Sequence, residues 1–137
     1  MHVGVGLPTT TPGADGAHLV EWARRADAGP FSSLGVLDRP RYDSIDPFTA
    51  LAAAAAVTER VRLATMVAIG PLRPAALLVK EAAGVQALSG GRLTLGLGIG
   101  ARRDDYETAD VPHRGRGARL SGQLAELRDW ADSPVVA

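Results

Sequence analysis

The amino-acid sequence predicts an α/β fold of four consecutive βα units around a parallel sheet. Two observations lead there. Short apolar, strand-like segments alternate with segments of helical periodicity along most of the chain, and most of the helical segments open or close on a recognisable capping signal.

Val3 to Leu7 reads as a short buried strand ended by Pro8. Asp15 can cap a first helix, whose apolar residues Leu19, Val20, Trp22, Ala23 and Ala26 recur at helical spacing. A second strand, Ser33 to Leu37, runs into the turn Asp38-Arg39-Pro40. Asp46-Pro47 is a strong helix start, because aspartate accepts orphan N–H bonds and proline is tolerated in the first turn. That helix carries Phe48, Leu51, Ala52, Ala55 and Ala56 and ends at Glu59-Arg60. A third strand is expected over Val61 to Ile69, and Pro74 opens a helix with Leu77, Leu78, Ala82, Val85 and Leu88. Ser89-Gly90-Gly91 stops it, as expected where the chain takes positive φ. Arg92 to Ile99 is the fourth strand. A polar, irregular loop is expected from Gly100 to about Gly117, and Leu120, Leu124, Leu127 and Trp130 mark the last helix.

The chain of 137 residues contains no low-complexity linker, so residues 1–137 read as one domain. Hydrophobic residues make up 46% and charged residues 22%, an ordinary soluble composition; with only 4% aromatics, Leu, Val, Ile and Ala must fill the core. Fifteen basic and fifteen acidic residues cancel, which gives no pull toward nucleic acid or an anionic membrane. The absence of cysteine excludes thiol nucleophiles, disulfides and cysteine-ligated metals, and fits a cytoplasmic protein. No secretory leader is read at Met1, and the longest apolar run, Leu51 to Val57, is far short of the ~20 residues of a membrane span. His2, His18 and His113 lack ligand spacing, and no serine sits in an activated G-x-S-x-G setting. No catalytic residue is assigned.

Alternation alone does not separate half of a barrel from an open doubly wound sheet. Either fold collects its ligand-binding groups at the carboxyl ends of the strands. At the fourth, Leu93-Thr94-Leu95-Gly96-Leu97-Gly98-Ile99-Gly100, the leucines and Ile99 share one face, and Thr94 and the glycines share the other. An emptied face suits the close approach of a flat ligand, or it makes room for neighbouring side chains in a tight barrel. Gly96-x-Gly98-x-x-Ala101 also fits a loose dinucleotide fingerprint, but it leads into a polar loop rather than opening a helix in the first βα unit.

Leu88-Ser89-Gly90-Gly91-Arg92-Leu93, continuing through Gly96, Gly98 and Gly100, is similar to the "LSGGRL–LG–G–G" segment of luciferase-like monooxygenases. These are β/α-barrel enzymes that use FMN or a deazaflavin coenzyme. Asp46-Pro47-Phe48, Thr58-Glu59-Arg60-Val61-Arg62-Leu63, Ala64-Thr65-Met66-Val67, Pro71-Leu72-Arg73-Pro74 and the last helix extend the resemblance in order over nearly the whole chain. It implies half of a TIM-type (β/α)8 barrel, since a complete one needs roughly 250 residues. It also implies an oxidoreductase or monooxygenase acting on a small organic molecule.

Residue by residue, the resemblance places a non-proline cis peptide against the isoalloxazine ring at Met66-Val67, and sets Gly98 and Gly100 beside the cofactor. Many relatives carry Asp-His at the end of the second strand; here the pair is Asp38-Arg39. Arginine is no acid or base near neutral pH, but it can hold a flavin carbonyl or an anionic substrate; the alternative is a strand-end salt bridge to Asp43 or Asp46. Arg102 and Tyr106, in the loop after the fourth strand, are the remaining cofactor-binding candidates, against a reading of that loop as solvated charges. Four strands leave the inner face and both edges open, so a homodimer is expected, the alternatives being a four-stranded unit closed over itself by a rearranged helix, or an unstable remnant. The alternative function is a non-catalytic remnant or a dimerising half-barrel module without cofactor.

Overall fold

In the computed structural model, which describes residues 1–132, the strand and helix segments occur in the expected order. The strands are β1 (Gly4–Gly6), β2 (Ser33–Val36), β3 (Arg62–Thr65), β4 (Ala68–Ile69), β5 (Leu93–Thr94) and β6 (Leu97–Gly98). The helices are α1 (Gly16–Ala28), α2 (Pro47–Ala55), α3 (Ala75–Leu88), α4 (Arg103–Thr108) and α5 (Arg116–Asp132), with a 3₁₀ turn at Gly70–Leu72. Strands β1, β2, β3 and β5 form one parallel sheet in that order, and β4 pairs with β6 in a second parallel ladder.

Each of the last two expected strands is therefore two strands. The third breaks at Met66-Val67 and the fourth at Leu95-Gly96. The expected loop after Gly100 holds α4, whose six residues are mostly charged and offer no apolar period to read; buried Tyr106 anchors it.

Capping accounts for the helix boundaries. The Asp15 carboxylate accepts from His18 N at 2.8 Å, and that of Asp46 accepts from Thr49 N at 2.9 Å. Gly90 and Gly91 close α3 with φ of 62° and 88°. The core lies between the sheet and its helices: Leu34, Val36 and Leu63 meet Leu19, Ala23, Leu51, Ala54, Leu78 and Val85. The opposite, inner face of the sheet carries small residues, Gly4, Gly6, Ser33 and Gly35, which line a cavity with Met66 and Leu37. The helical stripes are narrower than their apolar spacing suggests. Trp22, Leu77, Leu88, Leu124 and Trp130 are all exposed, and the buried residue of α5 is Gln123.

Two arginines bind the bottom of the sheet to the helices. Arg60 donates to the carbonyls of Asp27, Gly29 and Phe31 just past the last turn of α1, while the Asp27 carboxylate accepts from the backbone N–H of Glu59, Arg60 and Val61. One unit later, Arg92 donates to the carbonyls of Ala55, Thr58 and Val61 and to Thr58 Oγ1. Both cations sit at the negative end of a helix, where they also complement its dipole.

Arg92→Ala should lower the unfolding free energy by about 2–3 kcal/mol, read by urea denaturation, because it strands several part-buried carbonyls at once. Burial alone would raise the Asp27 pKa, but its three backbone N–H donors hold it below the ordinary value. Its contribution to stability is therefore full above the unfolded carboxylate pKa of about 3.9 and is lost as the pH falls through the folded value. Asp27→Asn should remove that part of the acid sensitivity; an unchanged stability-versus-pH curve would contradict the assignment.

Candidate functional site

The carboxyl ends of β2, β4 and β6 meet around one buried carboxylate. Asp38, 5% exposed, accepts from Ile69 N at 2.8 Å and from Arg73 Nη1 at 2.5 Å. Arg73 also donates to Asp46 at 3.0 Å, lies over the Phe48 ring at 5.3 Å, and has Glu81 at 3.3 Å, not aligned for a hydrogen bond. Burial on its own would lower the Arg73 pKa, but Asp38 and Asp46 raise it; burial pushes the Glu81 carboxyl up against the pull of Arg73. One cation thus ties the end of β2, the start of α2 and the body of α3 to the turn after β4. Gln123 of α5 closes this turn from outside, donating to the carbonyls of Gly70 and Arg73 at 2.8 and 2.7 Å.

Between β3 and β4 the Met66-Val67 peptide is cis, as the resemblance implied. Both side chains face outward from the core, Met66 63% and Val67 44% exposed. The glycines around them are the space they occupy. A Cβ on Gly98 would lie 2.7 Å from Val67 Cγ2, one on Gly96 would lie 2.5 Å from the Thr65 carbonyl oxygen and 3.2 Å from Val67 Cγ1, and one on Gly35 would collide with the Met66 side chain. Of the two readings of the glycine face, room for neighbouring side chains describes Gly98, while Gly96 is required first by the close approach of the Thr65 backbone carbonyl. Thr65 locks the arrangement, its Oγ1 donating to Gly96 O at 2.7 Å and accepting from Gly96 N at 2.8 Å.

Arg39 does make an ion pair, but with neither Asp43 nor Asp46. Its Nε lies 3.1 Å from buried Asp105 and its Nη2 lies 3.6 Å from Asp104, both on α4. Its guanidinium stacks on Tyr42 at 4.0 Å. Asp105 also accepts from Arg41 N, so one carboxylate holds the β2 loop against the β6 loop. Sequence spacing pointed to nearby acids; the sheet brings residues 66 positions apart together instead.

These elements border an open cavity of about 480 Å³, lined among others by Asp38, Arg39, Met66, Val67, Gly100 and Arg102. Six of the eight predicted binding residues therefore converge. Gly98 lies behind Val67, outside this lining, and Tyr106 is 1% exposed, its hydroxyl donating to Ile99 O and its ring edge-on to His113 at 5.0 Å. Burial raises the Tyr106 pKa. Asp105 and Tyr42 are cavity residues that sequence reasoning missed; neither carries a motif. Arg73 and Gln123 support the site without lining it. The cavity offers an apolar floor, Met66 and Val67, with a cationic hydrogen-bond donor at one edge. Among the described residues no cluster of three or more acidic or histidine side chains could hold a metal ion, and no helix is long and apolar enough to cross a membrane.

The sequence model of the luciferase-like monooxygenases matches residues 1–136, and the chain belongs to that family. A curated, uncharacterized protein of Mycobacterium tuberculosis is 36% identical over 106 residues, 77% of this chain and 38% of its own length. Among solved structures, the monooxygenase RslO1 from Streptomyces bottropensis is similar over the whole chain (29% identity, TM-score 0.82, 45% of its own chain). The oxygenating constituent of 3,6-diketocamphane monooxygenase from Pseudomonas putida, solved with FMN, shares the fold over 98% of this chain (23% identity, TM-score 0.81, 40% of its own chain). So does an F420-dependent secondary alcohol dehydrogenase solved with an F420-acetone adduct (97% of this chain, 21% identity, TM-score 0.77, 43% of its own chain). The chain spans less than half the length of each, so its four parallel strands correspond to part of a TIM-type barrel.

Arg73→Met should cost about 3 kcal/mol or more, measured by urea denaturation, because it leaves the Asp38 carboxylate buried and unpaired. Gly98→Ala should cost about 1–3 kcal/mol by displacing Val67; a wild-type midpoint would contradict the packing role of this glycine.

Proposed function

We propose that this chain serves a flavin- or deazaflavin-dependent oxidoreductase of the monooxygenase type, acting on a small organic substrate in the cytoplasm. The observation that carries the reading is the placement of an exposed Met66-Val67 floor beside Arg39 at the carboxyl ends of the strands, where barrels of this kind bind their ligands. FMN in one structural neighbour and F420 in another support the two cofactor classes. The cysteine-free composition supports the location.

The residues present fit such a ring. Met66 and Val67 would support one of its faces and exclude water there. Arg39 would orient its polar edge, and Gly100, with φ of 63°, lets the chain turn away at the rim. When bound, the cofactor supplies the redox chemistry, and the protein supplies position and electrostatics. Arg39 is held charged: burial opposes its charge, but the hydrogen bond and charge of Asp105 raise its pKa above the ordinary value. It therefore serves as a donor and not as a proton shuttle. Asp38 is committed to Ile69 N and Arg73, so its role is to shape the cavity wall.

A second reading, a half-barrel module that dimerises without cofactor, is favoured by one observation. Leu37, Met66, Val67 and Ile99 are 41–63% exposed, beside a sheet whose outer strands β1 and β5 each pair on one side only.

Titration of the purified chain with FMN and with coenzyme F420, followed in the visible spectrum, separates the two. The proposal expects a saturable spectral shift with one of them. A lack of binding to either at high micromolar concentration, together with a dimer in light scattering, would replace it with the second reading.

A further inference from the structure

We infer that Arg39 selects a neutral carbonyl or amide oxygen at the edge of a flat ligand, and discriminates against a carboxylate or phosphate in that position. The inference deepens the proposed function, on which the placement of the flat ligand rests.

The guanidinium is held by the carboxylates of α4 and by Tyr42. Its Nε donates to Asp105, its Nη2 is shut away from solvent 3.6 Å from Asp104, and the Tyr42 ring covers a face at 4.0 Å. Nη2 has no hydrogen-bond partner beyond that 3.6 Å charge contact, and Nη1 has neither a carboxylate nor a hydrogen-bond partner among the described residues, while Arg39 itself lines the cavity. A donor is on offer, but the charge behind it is already spent. Asp105, 2% exposed and 3.1 Å away, carries most of that pairing, and Asp104, 42% exposed and 3.6 Å away, adds a screened share.

The rest of the lining adds no compensating positive potential. Asp38 is matched by Arg73, which answers Asp46 and Glu81 as well. Arg102 is exposed at the rim, where water and salt screen it. An anion placed against Nη1 would meet Asp104 and Asp105 directly behind the guanidinium, and it would lose its own hydration on the apolar floor of Met66 and Val67. A neutral acceptor loses far less on desolvation and still gains a charge-assisted hydrogen bond. The preferred partner is therefore a ring bearing a ketone or amide oxygen.

The test compares probes of one shape and different charge. Benzamide, benzoate, riboflavin and FMN are titrated into ¹⁵N-labelled protein while the arginine side-chain N–H resonances are followed. Benzamide is expected to shift the Arg39 resonances saturably and benzoate to bind about tenfold more weakly, because its carboxylate loses hydration on the apolar floor and meets the charges of Asp104 and Asp105. Arg39→Met should abolish that preference, and the wild-type comparison stands alone if that variant does not fold. Equal or tighter binding of benzoate overturns the inference, as does a benzamide titration that leaves Arg39 unmoved at millimolar concentration. Benzamide binding through Arg39 while riboflavin and FMN both fail to bind supports the inference and defeats the flavin reading alone.

Discussion

The geometry of the site depends on the Asp38 carboxylate. Taking a charge out of water is costly, and it is sustained here by two partners that come from a different part of the chain: the backbone N–H of Ile69 and the guanidinium of Arg73. Ile69 N can reach Asp38 only if β4 leaves the line of β3, and Arg73 can do so only if the 3₁₀ turn brings it back over the end of β2. The carboxylate, the strand break and the turn therefore stand or fall together. Gln123 sets α5 against the same turn, which carries the constraint out to the helical layer.

The strand break in turn explains the glycines. Once Met66 and Val67 project from the line of the sheet, their side chains need room on the neighbouring strands, and Gly35 and Gly98 supply it, while Gly96 lets the Thr65 carbonyl approach. The outcome is an apolar floor at the carboxyl end of the sheet, built from residues that an uninterrupted strand would have packed away. A comparable economy holds on the other wall. Asp105, buried on a six-residue helix, holds Arg39 and the backbone of Arg41, so the loops after β2 and β6 share one anchor. The two ends of the sheet differ: at the bottom, Arg60 and Arg92 donate to helix carbonyls, whereas at the top Arg39 pairs with the carboxylates of α4.

Membership of the luciferase-like monooxygenases accounts for the order of elements and for the position of the cavity. It does not account for Arg39, because many relatives were expected to carry histidine there. Arg39 pairs with the carboxylates of α4, and an arginine does not exchange protons near neutral pH.

Local signals made most of the fold legible from the sequence. Asp15 and Asp46 mark helix starts by their own hydrogen bonds, Gly90-Gly91 marks a helix end by its backbone freedom, and the alternation of periods orders the parallel sheet. Of the eight binding residues that the family resemblance implied, six line the cavity, and the resemblance also placed the cis peptide. Only the tertiary structure decided the splitting of the two strands, the partners of Arg39 and Arg73, and the withdrawal of Tyr106 into the core. Those outcomes rest on contacts between residues some thirty to seventy positions apart, in which a carboxylate chooses among several cations by where the sheet delivers it. Short-range patterns carry no record of that choice, because periodicity encodes which face is buried and not which buried groups will meet.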